Sequence, residues 1–179
     1  MTAEEWFNKG VELAELESHE EAIEAFDKAI EINPQYAKAW FNKGVTLGRL
    51  GKREEAIQAY DNAIEINAQY AKAWFNKGVT LGSLGKHEEA IKAHDKAIEI
   101  NPQYAKAWLA KGVELGSLGK HKEAIKAYDK AIEINPQYAK AWLAKGVELG
   151  SLGKHKEAIK AYDKAIEINP QYAKAWLAK

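Results

Sequence analysis

Tryptophan stands at Trp6, Trp40, Trp74, Trp108, Trp142 and Trp176, always 34 residues apart. A bulky residue returning on one fixed interval means one structural unit copied in tandem, and such a period settles the fold before anything else does. Beginning each unit just after the Tyr of the Pro-Gln-Tyr run, the units span 3–36, 37–70, 71–104, 105–138 and 139–172, with a partial first helix at 173–179. Units four and five are identical, and unit three differs from unit four at five positions.

Within unit four, Trp108, Gly112, Leu115 and Leu118 follow steps of four, three and three, which is one helical stripe. Gly119 then supplies the left-handed residue that ends a helix. A second stripe, Ala124, Ile125, Tyr128, Ala131 and Ile132, runs to Asn135, and Pro136 cannot continue it. Two antiparallel helices per unit follow, and neither buries its stripe alone. Stacking on neighbours does so, which predicts an all-α, right-handed solenoid of helix-turn-helix units spanning 1–179 as a single body. Two capping boxes are predicted, Thr2 with Glu5 and Ser18 with Glu21. The second would compensate unit one for carrying Glu17 where other units have Gly51, Gly85, Gly119 and Gly153.

Composition narrows the function. No stretch reaches the ~18 apolar residues of a membrane span, the first twenty residues are acid-rich, unlike a secretory signal, and cysteine is absent. A cytoplasmic location without membrane attachment is expected. The net charge of zero conceals an acidic head and a mildly basic tail, but the positive charges are interleaved with Glu and Asp, so no nucleic-acid partner is expected.

These residues resemble the tetratricopeptide repeat. The motif is carried by Trp6, Gly10, Ala22, Phe26, Ala29 and Pro34 in unit one and by Trp108, Gly112, Ala124, Tyr128, Ala131 and Pro136 in unit four. The departures are Lys9, Lys43, Lys77, Lys111 and Lys145 for the family's Leu, Leu13 and its equivalents for its Tyr, Ala68 for Pro, and His94 for the second-helix aromatic. The Lys stems are expected to pack while their ammonium groups reach water.

Catalysis is not expected. Ser83, Ser117 and Ser151 lie near His87, His121 and His155 in sequence, but a hydrolase also needs an orienting carboxylate and an oxyanion hole. A metal site is not expected either: His87 and His94 are seven apart, roughly 10 Å along a helix, and no cofactor motif is present. His94 is read as filling the hole that Tyr takes elsewhere, where its protonation would loosen unit three. The glycine pairs Gly44–Gly48, Gly78–Gly82, Gly112–Gly116 and Gly146–Gly150 cost helix propensity, about 1 kcal/mol each, which close helix approach around the Trp is expected to offset.

Binding remains. Positions opposite the Trp stripe comprise Glu4, Phe7, Asn8, Val11 and Glu15 in unit one, Lys38, Phe41, Asn42, Val45 and Arg49 in unit two, and Lys72, Phe75, Asn76, Val79 and Ser83 in unit three; Lys106 and Leu109 continue the row. They are expected to be exposed and to form a recognition face. The resemblance implies that this face is a concave groove gripping a short peptide or a helix of a protein partner. Asn supplies donor and acceptor for an extended backbone, and the Lys row suits acidic side chains. One subclass of the family clamps acidic chaperone tails with Lys and Asn at the fifth and ninth positions. Here those are Phe7 or Phe41 and Val11 or Val45, so that ligand is not expected. The alternative is self-association: acidic head on basic tail gives head-to-tail oligomers or fibres, and the stub with Trp176 and Leu177 invites a mate. Identical units also suit a truncated or engineered array with no selected partner.

Overall fold

The computed structural model describes residues 1–178. Among them the chain forms eleven helices and no strand, in two compact bodies. The first, Met1–Lys86, contains α1 (Ala3–Glu15), α2 (His19–Ile32), α3 (Ala37–Arg49), α4 (Arg53–Ile66) and α5 (Ala71–Ser83). The second, His87–Lys179, contains α6 (His87–Ile100), α7 (Ala105–Ser117), α8 (His121–Ile134), α9 (Ala139–Ser151), α10 (His155–Ile168) and α11 (Ala173–Ala178). The boundary falls inside the third repeat, between its two helices. The all-helical, repeated helix-turn-helix class read from the sequence is the observed one.

Alanine makes the helices pack closely. Ala22, Ala25 and Ala29 on α2, with Ala39 on α3, are essentially inaccessible, and the same positions are buried in every later repeat. Between them sits one large ring per repeat: Phe26, Tyr60, His94, Tyr128 and Tyr162 are all buried. Four of these rings have a glycine opposite them: Gly10 faces Phe26, Gly44 Tyr60, Gly112 Tyr128 and Gly146 Tyr162. A Cβ on Gly10 would lie 2.6 Å from Phe26, and one on Gly112 would lie 2.4 Å from Tyr128. The close approach is therefore real, but it is made around the second-helix ring and not around the tryptophan.

The tryptophans do different work. From Trp40 onward each indole donates its Nε1–H to the carbonyl six residues earlier: Trp40 to Pro34 at 3.2 Å, Trp74 to Ala68 at 3.1 Å, Trp108 to Pro102 at 3.0 Å. The acceptor is a main-chain oxygen, so Ala68 serves as well as proline. The lysines that replace the family's leucine do not simply reach water. Lys43 bonds Asp27 of the preceding repeat at 2.5 Å with its ammonium 5.5 Å from the Trp40 ring, and Lys111 bonds Asp95 at 2.6 Å over Trp108.

The turns follow their chemistry. Gly51 at φ 77° closes α3, with the Lys52 amide donating to Leu47 carbonyl at 2.9 Å, a Schellman pattern. In repeat one the same geometry is forced on Glu17, at φ 61°. The Thr2–Glu5 capping box forms, with bonds of 3.2 and 2.7 Å. The second expected box does not: Ser18 occupies the N-cap of α2, but its side chain makes no capping bond. No side-chain cap thus offsets the left-handed strain, which costs a non-glycine residue roughly 1–2 kcal/mol. Glu17→Gly is expected to stabilise the first repeat by about 1 kcal/mol, read as a rise in the urea midpoint at unchanged slope.

Candidate functional site

In the first body α1 touches α3 and α3 touches α5, so the three first helices present adjoining faces. Asn8, Lys38, Arg49, Lys72 and Val79 are exposed there. Phe7, Phe41, Asn42, Val45, Phe75 and Asn76 are only half-exposed, which corrects the expectation of a fully open apolar row. The Phe7 ring lies 6.0 Å from Phe26 and 5.0 Å from Tyr36; Phe41 lies 6.0 Å from Tyr60 and 4.9 Å from Tyr70. Each phenylalanine therefore wedges between its own second helix and the Tyr that opens the next repeat, and only part of each ring reaches solvent. Val45 packs on the Leu47–Tyr60 cluster. In the second body Lys106 is exposed and Leu109 is half-buried against the Leu115–Tyr128 cluster.

The polar groups are also partly committed. Asn42 donates from its amide nitrogen to the Lys38 carbonyl at 2.8 Å, and buried Thr46 donates to the Asn42 carbonyl at 2.9 Å. Arg49 reaches across to the Ala14 carbonyl at 3.3 Å, tying the end of α3 to the end of α1. Burial, with Glu4 adding to it, pushes the Tyr36 phenol up from 10.0, and burial alone does so for Tyr70, so both phenols are neutral at physiological pH. The exposed charge on this face is that of Lys38, Lys72 and Arg49 on α3 and α5 and of Glu4 and Glu15 on α1, over a floor of aromatic edges and Val79.

The serines and histidines singled out in the sequence are not assembled for hydroxyl attack. Ser117 donates to Val113 carbonyl at 3.1 Å, and Ser151 to Val147 carbonyl at 3.2 Å. Sequence reasoning did miss a pairing. Glu148 on α9 holds His121 Nδ1 at 2.6 Å, and Glu114 on α7 holds His87 Nδ1 at 2.6 Å. The signal available was the change from Thr46 and Thr80 to Glu114 and Glu148 at one helical position. Among the described residues no group of three or more His, Asp or Glu is placed to hold a metal ion, and no helix is long and apolar enough to cross a membrane.

Repeated antiparallel helix pairs with a buried ring-and-glycine contact and a shared first-helix face define a helical repeat protein. The tetratricopeptide repeat model matches residues 3–36, 37–70, 71–104, 105–138 and 139–172, and the chain belongs to that family. No curated protein matches the chain. Among solved structures, a crystal structure of MamA aligns with TM-score 0.86 at 28% identity, covering 92% of this chain and 96% of that one. YrrB, described as a TPR protein with an unusual peptide-binding site, aligns with TM-score 0.82 at 24% identity, covering 97% and 89%. PilF of Pseudomonas aeruginosa shares the fold, with TM-score 0.86 at 20% identity over 98% of this chain and 80% of that one. Membership makes scaffolding of protein interactions the class of function.

Proposed function

We propose that this chain is a non-catalytic, cytoplasmic scaffold whose α1–α3–α5 face takes an extended segment of a partner protein. The observation that carries the reading is the combination on that face: exposed Lys38 and Lys72 above half-buried Phe41 and Phe75, with Asn42 and Asn76 alongside. Aromatic edges bury apolar groups of a ligand, amide groups bond its backbone, and the lysines select acidic side chains. On α7 Lys106 and Leu109 keep the charge and an apolar contact, while Ala110 stands where the amide would be. The peptide-binding description of YrrB, a protein of this fold, agrees with such a use.

The test is a library of extended peptides screened against the full chain. The double change Asn42→Ala with Asn76→Ala removes two bonding groups, each worth about 0.5–1.5 kcal/mol, so affinity for the best binder falls about tenfold. Helicity and melting stay unchanged, because Asn42 makes only one local bond on its own helix. Unaltered affinity in the variant excludes this face. A second reading, self-association, is favoured by the acidic first repeat against the later, basic ones. Sedimentation at rising salt decides it, since a monomer at every concentration and ionic strength removes it.

A further inference from the structure

We infer that the His121–Glu148 and His87–Glu114 pairs are clasps that couple the fourth and fifth repeats each to the one before it, and that the junction of the first and second repeats lacks this clasp because it has neither the carboxylate nor the room for one. In the second body the Glu148 carboxylate leaves its own helix and lodges against the preceding repeat. One oxygen is 2.6 Å from His121 Nδ1, and the other fills the space over Gly116, where a Cβ would lie 2.5 Å from it. Glu148 is 12% exposed and Glu114 11% as side chains. A carboxylate so withdrawn from water is costly unless paired, and removing one partner leaves the other stranded. His121 is the first residue of α8, whose N-cap Lys120 provides no side-chain cap. The clasp thus brings a negative charge to the uncapped N-terminal end of a helix, where it is favoured. The first turn of α8 frays freely only when α9 withdraws.

The first body holds the same histidine without its partner. His19 opens α2 as His121 opens α8, and its buried Nδ1 has no hydrogen-bond partner. The equivalent of Glu148 is Thr46, which bonds its own helix instead. The equivalent of Gly116 is Ala14, whose methyl occupies the place the carboxylate needs. Between the second and third repeats the same position is filled by Thr80, whose hydroxyl meets Tyr60, a neutral contact.

Amide hydrogen exchange on the full chain tests the clasp by removal and by installation. Glu148→Thr restores a residue that the second and third repeats carry at this position. It is expected to speed exchange of the Ala124 amide, which donates to Lys120 carbonyl at 2.9 Å, about tenfold, with α3 and α4 unchanged. Adding His121→Ala to it causes no further change. In the first body, Ala14→Gly with Thr46→Glu slows exchange of the equivalent Ala22 amide about tenfold relative to Ala14→Gly alone, whereas Thr46→Glu alone does not. Wild-type exchange at Ala124 in Glu148→Thr, multiplying effects of the two removals, or no gain from the installed pair each overturns the proposal. If Glu148→Thr unfolds the second body, the installed pair in the first body decides alone.

Discussion

Valine in place of Gly112 destabilises the protein by about 2–3 kcal/mol, the upper part of the range for forcing carbon into a packed interior, measured as a lower urea midpoint. The reason is local. The Tyr128 ring is essentially inaccessible, and its nearest carbon would lie 2.4 Å from a new Cβ at Gly112. The gain in helix propensity on leaving glycine, at most about 1 kcal/mol, does not offset that overlap. Tyr128→Ala alone is equally or more harmful, at about 3–5 kcal/mol for a buried aromatic. The two changes together cost less than their sum, because the valine methyls enter the space the ring vacates. Additive losses would show that the ring and the glycine are not one packing unit. Gly146 opposite Tyr162, with a Cβ 2.3 Å away, is expected to behave likewise.

Acidification acts through His94. It is the ring of the third repeat, fully buried where the others have Phe or Tyr, and burial lowers its pKa from 6.5 to about 4 against a smaller opposing effect of Asp95. The unfolded chain therefore takes up a proton below pH 6.5 that the folded chain refuses until about pH 4. Stability is at its full value above pH 6.5, falls through that window at about 1.4 kcal/mol per pH unit, and levels off below it. The loss from this residue is about 1.4 kcal/mol at pH 5.5. For a chain of this size that lowers the melting temperature by roughly 3–5 °C. His94→Tyr removes the difference: its midpoint, subtracted from that of the wild type, traces the whole window. Parallel profiles for the two proteins would mean that this imidazole does not govern the response.

Much of this was readable from the residues. The 34-residue interval, the alternation of stripe, glycine and proline, and the Thr2–Glu5 cap each dictate local structure from side chains a few positions apart, and each is observed. The candidate face was less legible. A wheel drawn for one helix assigns one buried side, but α3 is pressed by α4 on one flank and by the Tyr70 turn on another. Phe41, placed off the buried stripe of Trp40 on the wheel, is therefore half-enclosed. The His–Glu clasps escaped because 27 residues separate the partners, and no local pattern joins them. Ser18 misled for the opposite reason: its motif is local, but the turn imposed by Glu17 decides where the hydroxyl goes.

The tryptophans from Trp40 to Trp142, each moored to the loop that leads into its repeat, give the protein a row of optical gauges. Their mooring oxygens are chemically alike from Trp40 to Trp142, while Trp6 lies beneath two ammonium groups, at 4.3 and 5.1 Å. Phenylalanine at all but one of them would leave a single emitter whose colour reports when that one loop lets go, so the order in which the array comes apart becomes visible position by position.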